Sequence, residues 1–292
     1  MLIKYEINKY EVHRAERLNE LLYKSTNYDL LFIGSSRTHL TVNPRIIDSI
    51  CSVNSYNAGI EGGNLFEFNM MLQAFLENHP PPKDIVLTLD LRSFVSDYDF
   101  FNYTQYFSFT KNKVIRDYLN RQGYSTVRFQ LLPFLEVTEY DHNTKGYFLK
   151  GLLGYSEIRE GDFQYKGYVS NTNRQMDSVA PDLHTTKAEL SQSRKKCLDD
   201  IIQTCKQKKI SIIFTYAPEY KGMLQHSVSN SKEVLNYIDS VAVQNSIPFF
   251  RDDRLSICSD PKLFVNAGHL NRDGADLYSA ILANHLKNLI KK

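Results

Sequence analysis

Asp29-Leu-Leu-Phe-Ile-Gly-Ser-Ser-Arg37 decides how the rest of the chain reads. Leu30 to Ile33 run without a polar break and stop at a glycine. A strand wetted on one face alternates apolar and polar residues, so an unbroken apolar run marks a strand covered on both faces. Asp84-Ile-Val-Leu-Thr-Leu-Asp90 and Ile210 to Tyr216 have the same character, and Ser52 to Asn57 and Ile247 to Phe250 are shorter candidates. Helical stretches separate them. Glu11 to Lys24 carries leucines at 18, 21 and 22, and Asn43-Pro44 has a cap residue followed by a proline suited to the first helical position. Asn64 to Asn78 stops at Pro80-Pro81-Pro82, and further helices are expected over Thr185 to Lys208, Lys232 to Asn245 and Asp273 to Ile290. Strands alternating with helices call for a mainly parallel sheet with helices on both faces, and right-handed crossovers make this an α/β class three-layer α/β/α sandwich.

Outward from that frame, the alternation lapses between Ser93 and Leu183. The chain is expected to be a single domain over residues 1–292, with residues 93–183 as an insertion. Between Phe94 and Tyr168 lie 19 of the chain's 36 phenylalanines and tyrosines. An aromatic excursion after a strand end can form a lid or substrate wall, or a satellite core; the two are compatible. Lysine plus arginine number 35 against 33 acidic residues, a formal net charge of +2. That balance supplies no field for holding nucleic acid by bulk charge, and the lysines at 195–196 and 206–209 read as the wet side of a helix. No run of about 18 apolar residues marks a membrane span. The first residues lack the apolar stretch of a secretory signal, which leaves a cytoplasmic protein or one trimmed after an anchor. Cys51, Cys197, Cys205 and Cys258 contain no Cys-x-x-Cys pair and read as buried, inert thiols without zinc.

Two segments carry the chemistry. Gly34-Ser35-Ser36-Arg37 follows the first buried strand, and in open α/β sheets ligands collect beyond the carboxyl ends of strands. A hydroxyl at a strand-to-helix turn sits near backbone N–H groups able to hold an oxyanion; the same hydroxyls also serve as helix caps. Asn266-Ala-Gly-His269-Leu-Asn271 precedes the last helix, and an imidazole there can act as general base for a serine. Arg37 could neutralise an anionic substrate or form a surface ion pair, and His39 is an alternative base. Asn57 and Asn64 could donate to substrate or serve as turn and cap residues. Asp252-Asp253, Asp97 and Asp99 read as solvated carboxylates before metal ligands.

These pieces resemble the SGNH/GDSL hydrolase superfamily, in its divergent branch that begins the motif with Gly-Ser-Ser. The match runs through Asp29 to Arg37, Ser55-Tyr-Asn-Ala-Gly-Ile60, Asp84 to Asp90, and Phe264-Val-Asn-Ala-Gly-His-Leu-Asn-Arg-Asp-Gly-Ala275, in family order. The resemblance implies an SGNH-hydrolase or flavodoxin-like sandwich, Ser36 as nucleophile, the N–H groups of Ser36 and Gly59 as oxyanion donors, and His269 as base. It calls for no metal or organic cofactor. The family's asparagine after the third strand has no counterpart in Leu89-Asp90-Leu91-Arg92-Ser93, and Asn266 stands where the family has an aspartate.

A carboxylate at that place orients the imidazole and stabilises the imidazolium; in serine proteases the change to an amide costs about 10⁴ in turnover. A backbone carbonyl or Asp273 could orient His269 instead. The resemblance implies an esterase or O-acyltransferase acting on an acyl ester, most plausibly acetyl, of a carbohydrate or cell-envelope polymer. The alternative is a degenerate binding or assembly protein using the same crevice. The expected partner is a small-molecule or polysaccharide acyl ester, with no nucleic acid, and membrane contact only through an absent amino-terminal anchor. An envelope location is implied if such an anchor was removed.

Overall fold

The computed structural model describes residues 15–23, 26–94, 106–107, 109–127, 164–171, 174–176 and 186–290. Contacts group the chain into two compact units, one drawn from Met1–Thr26, Met70–Pro80 and Phe100–Glu160, the other from Asn27–Asn69, Pro81–Asp99 and Gly161–Lys292.

In chain order the elements are α1 (Ala15–Tyr23), β1 (Leu30–Ile33), the single turn α2 (Ser36–His39), α3 (Pro44–Cys51), β2 (Ser55–Asn57), α4 (Leu65–Asn78) and β3 (Asp84–Thr88). Then follow α5 (Lys113–Arg121), the hairpin β4 (Gln164–Tyr165) and β5 (Tyr168–Val169), α6 (Gln192–Lys208), β6 (Ser211–Tyr216), α7 (Met223–Ser227) and α8 (Ser231–Gln244). The chain closes with β7 (Phe249–Arg251), the hairpin β8 (Phe264–Asn266) and β9 (His269–Leu270), and α9 (Arg272–Leu286).

The larger unit is an α/β/α sandwich on a five-stranded parallel sheet of order β2-β1-β3-β6-β7. Phe32, Val86 and Ile213 stand in one row across β1, β3 and β6, and they share a core with Ile47 and Cys51 of α3 and Tyr278, Leu282 and Leu286 of α9. The alternate residues Leu31, Ile33, Ile85, Leu87 and Phe214 are equally buried, so the opposite face is covered as well. α6 packs against β6. Truncating a side chain such as Phe32 costs about 3–5 kcal/mol, so this double burial sets most of the unit's stability. The strand order reverses between β1 and β3, and in doubly wound sheets that switch point opens the crevice where ligands bind.

Three local readings hold in detail. Asn43 caps α3, its side chain accepting from the Arg45 N–H, with Pro44 at the first helical position. Gly34, directly after β1, has no room for a side chain, because a Cβ there would run into Thr38 Oγ1 and stand 3.0 Å from Thr88 Cβ. All four cysteines are free and buried, and burial pushes the thiols of Cys197 and Cys205 up to about 12, which keeps them unreactive.

Elsewhere the structure corrects the expectation. The helix expected from Thr185 begins at Gln192, where the Ser191 hydroxyl accepts from the Arg194 N–H. Thr186 forms a parallel bridge with Val228 instead, its N–H donating to Ser227 O at 2.8 Å.

The stretch read as an irregular insertion carries α5, capped by Asn112, and the β4–β5 hairpin. In the smaller unit Asn112 also donates to Ala74 O at 3.1 Å, and Tyr23 stacks on Phe109 at 6.0 Å. The described aromatics Tyr106, Phe107 and Phe109 of this unit, and Phe94 and Tyr168 of the other, are core residues. Tyr118, Tyr124 and Tyr165 are partly buried, Tyr124 lying edge-on to Phe107 at 6.3 Å, and the remaining aromatics expected to form a lid or wall lie outside the described residues.

Candidate active site

From Leu31 to His39 only Ser36 reaches solvent; its neighbours are all buried. The cause is local. Ser35 caps α2, its hydroxyl oxygen accepting from the Arg37 N–H at 3.2 Å, and donates its own proton to Asp90 Oδ2 at 2.7 Å. Asp90 follows β3 and is fixed in turn by the Ser93 N–H at 2.9 Å. The turn is thus bolted across the switch point, and Ser36 projects as the first residue of α2. Its N–H, like every first-turn N–H, has no intrahelical acceptor.

His269 comes from the other end of the chain. Asn266 and His269 face each other across the β8–β9 hairpin. Asn271 then caps α9, accepting from the Gly274 N–H at 3.0 Å and donating to Lys262 O at 2.6 Å, which ties down both flanks of the loop. The result places His269 Nε2 2.8 Å from Ser36 Oγ across 233 residues of sequence.

Asn266 Oδ1 lies 3.0 Å from His269 Nδ1 and also 3.0 Å from the Gly268 backbone N–H. A backbone N–H is an obligate donor, so the atom facing it is the amide oxygen. That oxygen is an acceptor, hence His269 Nδ1 carries the proton and Nε2 presents its lone pair to Ser36. The neutral residue therefore selects the tautomer a general base needs, and neither Asp273 nor a backbone carbonyl takes that place. Burial, then the nearby Arg37 charge, lowers His269 to about 4, opposed by Asp90 and Glu61 and reinforced by Arg92. The ring is uncharged at neutral pH.

Several expected roles are corrected. The Gly59 N–H, expected to hold an oxyanion, donates to Asn57 Oδ1 at 3.0 Å. Gly59 itself is required, because a Cβ would stand 2.4 Å from His39 N. Asn57 is fully buried, its amide donating to Thr38 O at 2.8 Å and Val42 O at 2.7 Å, so it clamps α2 to the second motif instead of meeting substrate. Asn64 is buried and accepts from the Phe66 N–H, a cap on α4.

Arg37 is neither a surface ion pair nor a substrate contact. It is 3% exposed, with Nη2 donating to the carbonyls of Ala217 and Pro218. His39 is buried with Nδ1 3.9 Å from Glu61 Oε1, while His269 takes the place beside Ser36.

Asp252 and Asp253 are not solvated. Tyr278 donates to Asp252 at 2.9 Å, and Arg251 grips Asp253 through Nε and Nη2. Asp97 and Asp99 lie outside the described residues. Sequence reasoning missed the partnership of Ser35 with Asp90. Its one signal was a carboxylate closing an otherwise apolar strand.

The fold and the facing hydroxyl and imidazole define a class: an α/β/α sandwich presenting a Ser–His pair at the carboxyl rim of its parallel sheet. No family model and no curated protein matches the chain. Among solved structures it is similar to a protein described as lipolytic, of the G-D-S-L family, from Desulfitobacterium hafniense, at 10% identity over 88% of this chain and 99% of that one, TM-score 0.45. It is also similar to one described as an acylhydrolase from Bacteroides fragilis, at 11% identity over 96% and 98%, TM-score 0.45. A GDSL-like lipase from Bacteroides thetaiotaomicron matches at 12% over 97% and 98%, TM-score 0.43. The Desulfitobacterium hafniense and Bacteroides thetaiotaomicron proteins carry the G-D-S-L name of the group that the motifs resemble; the chemistry argued for this chain rests on its own geometry.

Proposed function

We propose that the chain is an SGNH-type serine esterase or O-acyltransferase acting on an acyl ester, an acetyl ester of a carbohydrate or cell-envelope polymer being the substrate class carried over from the motif resemblance. The observation that carries this reading is the 2.8 Å approach of Ser36 Oγ to the unprotonated Nε2 of His269. His269 takes the hydroxyl proton as Ser36 Oγ bonds to the acyl carbon. The Ser36 N–H, at the positive end of a helical turn, faces the developing oxyanion. Collapse breaks the ester C–O bond, and the departing alkoxide takes the proton back from His269. Water, or a second hydroxyl in the transfer reaction, then attacks the acyl-serine with His269 again as base. Asn266 holds the tautomer throughout.

One observation favours the alternative of a non-catalytic binding protein. The second oxyanion N–H that the motif supplies is occupied by Asn57. Turnover of a chromogenic acetyl ester decides. The reading expects measurable hydrolysis that falls about 10³-fold or more in Ser36→Ala. An unchanged rate in that variant refutes Ser36 as nucleophile, and no turnover of acetyl or butyryl esters by the unaltered chain favours binding.

A further inference from the structure

Arg37 follows the nucleophile directly, yet it points away from solvent. A guanidinium has five N–H donors in a fixed fork. Nη2 meets the carbonyls of Ala217 and Pro218, in the segment after β6, and the guanidinium lies 5.0 Å over the Tyr216 ring. Nε and Nη1 are buried and reach no acceptor within hydrogen-bond distance among the described residues. The groups facing the charge are Tyr216, Asp90 and Glu219. Glu219 is itself buried, accepting from the Leu224 N–H at 2.9 Å and from Gln225 at 2.7 Å.

Burying a cation is costly, and here Tyr216, Asp90 and Glu219 offset that cost. The carbonyls it holds also lead to the base. Tyr220, two residues past Pro218, donates its N–H to Ala267 O at 2.9 Å, in the turn between Asn266 and His269. A closed circuit results: Ser36, Arg37, the Ala217–Tyr220 segment, Ala267, His269, and back to Ser36 through the 2.8 Å contact.

We propose that Arg37 is a positioning residue for the reaction above: its fork sets the Ala217–Tyr220 segment that carries the His269 turn, and so holds the imidazole within reach of the Ser36 hydroxyl. The inference rests on the proposed Ser36–His269 chemistry. The charged groups bearing on His269 are Arg37 on α2, Asp90 and Arg92 after β3, and Glu61 after β2. Asp90 is engaged with Ser35 and Ser93, and Arg92 is exposed. Of the two cations, Arg37 has the larger effect on His269 and is the one shielded from salt.

The test titrates the His269 ring by NMR in the full chain, alongside the pH profile of kcat/KM for a chromogenic acetyl ester. Arg37→Lys, which keeps the charge and loses the fork, should lower kcat about tenfold with KM little changed, leave the ring midpoint near that of the unaltered chain, and move the His269 ring resonances as the turn shifts. Arg37→Met should also lower kcat and move those resonances, because a displaced ring outweighs the gain from a more stable imidazolium. A folded Arg37→Lys chain with unchanged kcat and unmoved ring resonances overturns the proposal. If Arg37→Met does not fold, Arg37→Lys decides on its own by the same two readings. Because the ring resonances need no turnover, failure of the esterase reading shows as absent hydrolysis by the unaltered chain with the resonance change intact.

Discussion

Replacing Asn266 by aspartate isolates what charge contributes once orientation is already supplied. A carboxylate oxygen in place of Oδ1 still accepts from His269 Nδ1 and from the Gly268 N–H, both at 3.0 Å, so the geometry is kept and only charge is added. Asn266 is exposed, so the new charge acts through water. Two unit charges about 4 Å apart in that environment attract by about 1 kcal/mol. The imidazolium is stabilised by that amount in the transition state, which raises kcat/KM about fivefold. The same energy raises the His269 midpoint by about 0.7 unit, so the acid limb moves up with the rate. Initial rates on a chromogenic acetyl ester across pH 4 to 8 measure both. A gain of about 10³-fold would refute the reasoning, because it would show a site that lacked orientation and not merely charge. A loss of activity would equally refute it. Asn266→Ala is the companion variant: it strips both N–H groups of their acceptor, releases the tautomer, and should cost about tenfold in kcat.

The remaining expectations concern the surrounding structure. Asn57→Ala removes the acceptor of the Gly59 N–H and the donor to Thr38 O and Val42 O, so chemical denaturation should show a loss of about 3 kcal/mol, together with lost turnover. Ser36→Ala should abolish turnover while leaving the thermal midpoint close to that of the unaltered chain, since Ser36 is partly exposed and Ser35 supplies the cap. The folded chain holds His269 at about 4 against an ordinary 6.5, so between those values the unfolded chain binds more protons and this group's contribution to stability falls as pH falls. Asp252 and Glu219 are raised by burial and titrate in the opposite sense, so the comparison is between the unaltered chain and His269→Gln. The midpoint difference between those two should change across pH 4 to 6.5 and be constant above it.

Much of the fold was written in short-range pattern. Leu30 to Ile33 and Asp84 to Thr88 are buried on both faces because the parallel sheet has a helical layer on each side, and an unbroken apolar run is what that environment demands. Asn43-Pro44 and Asn64 announced helix starts through groups that act on their own neighbours. The pairing of Ser36 with His269 was legible too, since each ends or opens an element at a sheet edge and the motifs carry them there.

Partners of polar groups were not legible, because a hydrogen bond reports nothing in sequence when its ends lie far apart. Arg37 read as either a substrate contact or a surface ion pair until its fork was found on carbonyls 180 residues away. Asp252 looked wet until Tyr278, 26 residues on, was found beside it. The Gly59 N–H and Asp253 are engaged by side chains only two residues away, Asn57 and Arg251, whose direction the sequence does not give. By itself the sequence determined which strands are double-covered and where a capped helix such as α3 starts, because those follow from burial periodicity and local caps, while the motif resemblance singled out the hydroxyl and the imidazole. The tertiary structure alone decided which tautomer His269 holds, where the Arg37 charge is spent, and which N–H remains for an oxyanion. Those depend on the direction of single donors and acceptors, and only the assembled sheet and its loops set those directions.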